Sequence, residues 1–470
     1  MPRCTHGLAR LLRNARFPLA LFVAGLVVRL HWNLEVHPLE DYVYSDMRGY
    51  WTRAARFAAA PFEARPYQAF YPPGVHLLAG IVRMAVGADA AWTVLDVVYA
   101  IFGALVPPAV YGICRAAGTG RLAAALAGAV MVAHYPSISL GGYLLSEPPF
   151  AAALAGSTYL ALRFLAAGHR RDAVACGLCL GLGAWFRPQI LAVVPFWLAL
   201  FFYARRRFAA APKVVTTLAC PLVAALCLVP TAVHVHHHTG RWGLVSENGS
   251  LNLVFGRCHA TGVVAHPAEP GQVRTAFSPP SLLQLARRKS RPGRPFPQLD
   301  PAGALRIEYD GYIGDARIHR KLVRECMEAT GLARQLRYAA VHVWMLAYDN
   351  VMWPDSGRRM WRAPAKWWER TIGRTVVPLA AVALVVSVVG LWRRAWLPLL
   401  VLAGHPLALL AVAAVFFGSI RLRVPYDGLL VAMDAVFLSL VGRSGVRGAR
   451  RLRRRGRGAS GETGDEQRGS

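Results

Sequence analysis

The sequence predicts an all-α polytopic membrane protein of about ten transmembrane helices. Three observations carry this. Apolar residues make up 55% of the 470, they fall in continuous blocks near twenty long rather than at amphipathic spacing, and short basic loops separate the blocks. A strand barrel needs segments of about ten residues alternating in polarity, so helices are the remaining way to satisfy the backbone in lipid.

The expected spans cover roughly 17–34, 91–114, 121–140, 148–167, 173–186, 188–204, 213–233, 375–392, 396–417 and 425–441. The N-terminal "MPRCTHGLARLLRNAR" and "FPLALFVAGLVV" have the layout of a signal peptide. No small-residue cleavage site follows, so this reads as an uncleaved first span. The block "CGLCLGLGAWFRPQILAVVPFWLALFFY" reads as two short spans hinged at Arg187-Pro188, because proline removes a backbone donor and breaks the ladder. "YPPGVHLLAGIVRMAVG" contains His76 and Arg83 and opens on a proline pair, which suits a helix in the membrane interface rather than a span. Residues 46–60 read as its companion.

The connections alternate in charge. Four arginines before Phe17, Arg115 and Arg121, Arg170 and Arg171, the "RRRF" run with Lys213, Arg393 and Arg394, and the "RLRRRGRG" tail all fall on one side. The positive-inside rule makes that side cytoplasmic, with both termini. The opposite set comprises residues 35–90, "GGYLLSEPP", the Arg187 turn, residues 234–372 and "GSIRLRVPYD". This expects a bacterial cytoplasmic-membrane protein in four parts: a transmembrane module 1–233 with two juxtamembrane helices in loop 35–90, an external subdomain 234–372, C-terminal helices 373–441, and a basic, disordered cytoplasmic tail 442–470. The stretch "RRKSRPGRPFPQLDP" reads as flexible.

The formal charge is +29, from 54 basic and 25 acidic residues. In a soluble protein that would suggest nucleic acid; here the charge sits in loops and a tail, so anionic headgroups are the expected partner and nucleic acid is not. Eight cysteines give no zinc spacing. Cys176 and Cys179 share an apolar helix face, open to core packing or a redox pair, and core packing is favoured. Cys258 and Cys326 both fall in the long external loop and suit a disulfide in an oxidising compartment.

Candidate chemistry begins at "YSDMRGYW". In a helix, Asp46, Tyr50 and Arg53 share one face. Asp46 there suits a general base, or simply a cap on an interfacial helix. Arg29, Glu147, Arg187, Arg421 and Arg423 fall near the same outer level, and ionisable groups at that depth are costly unless they work. Two carboxylates and several guanidiniums suit an anionic, membrane-held substrate.

The order of "SDMRGY", "YPPG", "LSEPPF", "GLGAWFRPQ", "SENGSLNLVFG" and "RLRVP" resembles the bacterial GT-C glycosyltransferases, those similar to protein O-mannosyltransferases and the lipid A aminoarabinose transferase. The resemblance covers about residues 17–260 and 375–435. It implies a polyprenyl-phosphate-linked sugar donor and transfer at the extracytoplasmic face, usually with inversion, to a glycan, lipid or protein acceptor. It also implies that Asp46 acts as base, with Glu147 the second acid, and that Arg187, Arg421 and Arg423 hold the donor phosphate; Arg29, at the same level, is a further candidate for that phosphate from its position alone. Tyr50, Arg53 and Asp41 are then substrate-binding candidates. The family often has an Asp-Glu pair where this chain has Ser45-Asp46-Met47, so Asp41 is a rival base.

Some enzymes of that superfamily use a divalent ion, and His234 with His238 in "HVHHHTG" has a ligand-like spacing. No carboxylate lies near them in sequence, so neither metal nor cofactor is assigned. Asn248-Gly-Ser250 is a formal glycosylation sequon, but "SENGS" reads rather as shaping a loop over the site. Two other functions remain open: a flippase or transporter of a lipid-linked glycan, and a surface-polysaccharide polymerase or ligase. No inverted repeat supports transport.

Overall fold

The apolar blocks become helices because in lipid only an unbroken i→i−4 ladder satisfies every backbone group. The computed structural model describes residues 2–208, 213–258, 262–266, 275–277, 306–310, 312–348, 352–390 and 393–459. Its helices are α1 (Pro2–His31), α2 (Asp46–Ala59), α3 (Gly74–Val86), α4 (Ala88–Ala116), α5 (Arg121–Val132), α6 (Tyr135–Gly141), α7 (Glu147–Ala167), α8 (Arg170–Phe186), α9 (Val194–Arg207) and α10 (Val214–Thr239). There follow α11 (Gly249–Arg257), α12 (Ala316–Tyr348), α13 (Arg359–Thr371), α14 (Val377–Val389), α15 (Leu397–Val415), α16 (Ile420–Arg423) and α17 (Asp427–Ala459).

The polytopic helical class expected from the sequence holds. Among the described residues eight helices are long and apolar enough to cross a membrane, or nine if α5 and α6, bent by 45°, count as one span. The expected tenth, α8, has 17 residues, about 25 Å of helix against a hydrocarbon core of about 30 Å. It packs between α7 and α10. A Cβ at Gly177 would lie 2.4 Å from the Cys220 carbonyl, and one at Gly181 2.3 Å from the Cys227 side chain, so these glycines permit the close crossing. Arg187 is extended, and Pro188 begins a 3-10 turn, Pro188–Val193, that leads into α9. The break therefore sits at the expected hinge.

Three boundaries differ from expectation. Helix α13 passes through a π-helical turn, Ile372–Val376, into α14, so one helix, Arg359–Val389, joins the end of the long 234–372 segment to a span. Helix α17 runs on to Ala459, through the basic stretch read as disordered; residues 460–470 lie outside the described residues. Residues 234–372 also add a small sheet to the helical fold, with β1 (Gly262–His266) antiparallel to β2 (Thr275–Phe277) and parallel to β3 (Arg306–Asp310). The Pro/Arg-rich stretch read as flexible, residues 287–301, lies outside the described residues.

Helix α12 is two helices joined across Gly331, whose φ of 72° only glycine adopts freely. The first half packs on α11, where Cys258 and Cys326 form the expected disulfide. Helices α2 and α3 pair with each other and lie over α4. Their apolar faces form a second core, including Met47, Tyr50, Ala54, Val75, Ala79, Trp92, Leu95 and Tyr99. Leu144, Leu145, Met352, Ile420 and Val424 close this core, so it joins the loop 35–90, the start of α7 and the α16 turn. That junction positions the candidate site.

Candidate active site

Asp46 is the first residue of α2 and Glu147 the first of α7. A helix N-terminus favours a carboxylate through its free N–H groups and dipole. Asp46 is set by Ser45, the one non-glycine of positive φ (49°) among the described residues. Such a conformation costs on the order of 1 kcal/mol and persists where surrounding packing fixes it. Glu147 is only 1% exposed, and Pro148 and Pro149 occupy helix positions where a missing N–H is harmless.

Two guanidiniums meet these carboxylates. Arg187 Nη2 donates to Glu147 Oε1, and its Nε donates to Ser146 Oγ at 2.8 Å. Arg421, on the short α16 turn, donates from Nε to the same Glu147 oxygen and from Nη1 to Asp46 Oδ2 at 3.1 Å. The order in space is therefore Arg187, Glu147, Arg421, Asp46. Removing one partner from such a cluster leaves a charge uncompensated, typically a cost of about 3–5 kcal/mol. The Arg421 guanidinium lies 4.6 Å from the Trp353 ring centre, and Arg187 lies 5.8 Å from that of Phe150.

Asp46 Oδ1 accepts from the Tyr71 hydroxyl at 3.5 Å. Tyr50 packs beside Tyr71 at 5.3 Å; burial, with the Asp46 and Glu147 charges adding, pushes its phenol up to about 12. Arg53 points behind this pair: its Nε donates to the Tyr67 carbonyl at 2.9 Å, and its guanidinium lies 4.0 Å from Tyr67 and 4.4 Å from Tyr71. Arg53 thus braces the tyrosine that touches Asp46 and forms no ion pair with the carboxylate.

Three other candidates sit apart from the cluster. Arg29 is spent inside the bundle, donating to the carbonyls of Gly25 at 3.2 Å and Met131 at 3.1 Å. Arg423 pairs with Asp427 at 2.8 Å and donates to the Leu346 carbonyl at 3.0 Å. Asp41 is exposed on the 3-10 turn Leu39–Tyr42. Sequence reasoning left out Trp353, Ser146 and Tyr71 as site residues. The last two lie in quoted motifs and could have been found; nothing in "MWPDSG" marked Trp353.

The histidines at the end of α10 staple the loop 35–90. His234 and His237 approach the carbonyls of Gln68 (3.3 Å) and Phe62 (3.0 Å), and His238 Nδ1 accepts from the Arg65 N–H at 3.1 Å. Glu247 and Asn248 of "SENGS" donate backbone N–H groups to the carbonyls of Ala69 (3.1 Å) and Phe70 (3.0 Å), tying that stretch to the segment that carries Tyr71. Among the described residues no three His, Cys, Asp or Glu are grouped to hold a metal. The carboxylates of the cluster do not fit a divalent ion, because a guanidinium already bridges them. A cavity of about 20 Å³, room for one water, is lined by Glu147, Pro148, Ala151, Ser137 and their neighbours.

Residues 95–235 match the family "Dolichyl-phosphate-mannose-protein mannosyltransferase". The GT-C resemblance read from the sequence agrees with this match, which takes in Glu147, Arg187 and α10 as far as residue 235. No curated protein matches the chain. Among solved structures, the oligosaccharyltransferase of Archaeoglobus fulgidus tethered to an acceptor peptide shares 16% identity over 91% of this chain and 50% of its own, with a TM-score of 0.47. The oligosaccharyltransferase AglB from Archaeoglobus fulgidus, in complex with an inhibitory peptide and a dolichol-phosphate, gives 13% identity over 91% of this chain and 50% of its own, with a TM-score of 0.49. ArnT from Cupriavidus metallidurans gives 15% over 89% and 77%, and 0.35. The chain spans about half the length of the archaeal enzyme, and all three are distant likenesses.

Proposed function

We propose that this chain is a membrane glycosyltransferase that moves a sugar from a polyprenyl-phosphate-linked donor to an acceptor held at the extracytoplasmic face. The observation that carries the reading is Arg421 bridging Asp46 and Glu147 beside Arg187. The match of residues 95–235 to a family of lipid-phosphate-sugar transferases supports it.

In the proposed reaction the acceptor oxygen attacks the anomeric carbon as the bond from that carbon to the phosphate oxygen breaks. The departing electron pair goes to phosphate, and the acceptor proton goes to Asp46. A single displacement inverts the anomeric centre. Phosphodiester becomes phosphomonoester, so one negative charge develops on the leaving group, and Arg421 and Arg187 are placed to offset it. Glu147 holds both guanidiniums and fixes their planes. Tyr71 and Tyr50 shape the pocket around Asp46, with Arg53 behind them. The acceptor is a glycan, lipid or protein, and the sugar a hexose or pentose.

The test compares glycolipids and glycans of wild-type and Asp46→Asn cells by mass spectrometry. Loss of one sugar with accumulation of its lipid-linked donor outside supports the proposal. Donor trapped on the cytoplasmic side would replace it with a flippase.

A further inference from the structure

Helix α13 presents three distinct faces. Ala365 and Glu369 are buried, and the same side sets Trp361 4.9 Å from Trp32 and Trp368 5.7 Å from His134. Arg359, Arg362, Lys366 and Arg370 are exposed and follow at three- and four-residue spacing, so they form one stripe. Exposed Arg374 carries it a turn further. Along its edge lie Met360, 66% exposed, and Trp367, 61% exposed.

Among the described residues none of these five cations has a carboxylate within ion-pair reach. The one acid of α13, Glu369, is turned inward and accepts from the Met352 N–H at 2.8 Å. On the orientation expected from the loop charges, the stripe lies on the translocated side, where the charge rule does not place cations. Its link to the candidate site runs through the chain that leads into Asp46: Arg358, just before α13, lies 5.0 Å from the Tyr42 ring and 5.2 Å from that of Tyr44, two residues before Asp46.

We propose that the basic stripe of residues 359–374 binds the phosphate headgroups of anionic phospholipids in the leaflet on the site-bearing side. Two features favour lipid over a soluble polyanion. Met360 and Trp367 adjoin the cations, the composition of an interfacial helix, and the helix continues without interruption into the apolar span Arg359–Val389. Headgroups anchored there hold the mouth of the site at headgroup depth. The proposal stands whether or not the chain transfers sugar.

The test uses the full chain in nanodiscs of equal phosphatidylglycerol and phosphatidylcholine, with retained lipid counted by native mass spectrometry. Wild type should retain phosphatidylglycerol selectively, and a photoactivatable phosphatidylglycerol should crosslink within residues 359–374. The triple variant Arg362→Gln, Lys366→Gln, Arg370→Gln should lose about fivefold in affinity per charge, on the order of a hundredfold in all. The charge-keeping pair Arg362→Lys, Arg370→Lys controls for folding and should bind as wild type. Undiminished retention by the triple variant, or crosslinks only elsewhere, overturns the proposal. So does displacement of the lipid by soluble inorganic polyphosphate at matched charge, which would assign the stripe to a soluble polyanion.

Discussion

Arg421 donates to Glu147 through Nε and to Asp46 through Nη1 at 3.1 Å, so one planar group fixes two carboxylates from separate helices. A lysine cannot do both, since its ammonium is a point charge without the fork. Arg421→Lys should therefore lower turnover about a hundredfold, near the loss for one charge-stabilising donor, and Arg187→Ala should cost a similar factor. The check is sugar transfer in membranes at matched protein level. Near-wild-type turnover in Arg421→Lys would remove the bridge from the mechanism.

Asp46 and Asp41 can be told apart by substitution. Asp46 bonds Arg421 and Tyr71, whereas Asp41 is exposed on a turn. Asp46→Asn should lower turnover by about two to four orders of magnitude, the range for a general base. Asp41→Asn should stay within about threefold. The reverse pattern would transfer the role to Asp41.

Glu147, Arg187, Arg421 and Asp46 were legible in the sequence because each sits at a chain discontinuity in an otherwise apolar stretch: before Pro148, before Pro188, in the α16 turn and after Ser45. Polar groups at such breaks have little to do but meet one another or a ligand. Arg29 and Arg423 gave the same signal and went elsewhere, to backbone carbonyls and to Asp427. Which of several buried arginines is spent on structure depends on helix rotation, and one-dimensional spacing does not carry that. The shortness of α8 was legible from the Arg187-Pro188 hinge, which limits the span before it, whereas its close crossing of α10 at Gly177 and Gly181 was not. Trp353 arrives from the long connection between α10 and α13, and only tertiary folding brings it over Arg421.

Arg53 should behave as a structural residue. Its guanidinium is fully buried between Tyr67 and Tyr71, and a desolvated cation–π contact is worth about 2 kcal/mol. Arg53→Ala loses two such contacts, the bond to Tyr67 and the packing volume, for a destabilisation of about 3 kcal/mol or more. Thermal unfolding in detergent should show a lowered midpoint, with turnover per folded molecule within about tenfold. A hundredfold loss of turnover at unchanged stability would instead place Arg53 on the substrate.

Asp355 gives the protein a pH-dependent stability. It is fully buried and accepts from Ser139 Oγ at 2.7 Å, Tyr143 at 3.0 Å and Tyr135 at 3.2 Å, hydroxyls rather than cations. Burial pushes its carboxyl up from 3.8 to about 6, against those hydrogen bonds. The folded chain thus holds this proton more tightly than the unfolded chain between about pH 4 and pH 6. Its contribution is fully present below the unfolded value and is lost as pH rises through the folded one. A shift of this size corresponds to about 3 kcal/mol. Asp355→Asn removes the titration while keeping the shape, so its stability should change less between pH 4.5 and pH 7 than that of wild type. Unfolding profiles of wild type and variant that run parallel across that interval would show that Asp355 does not titrate there.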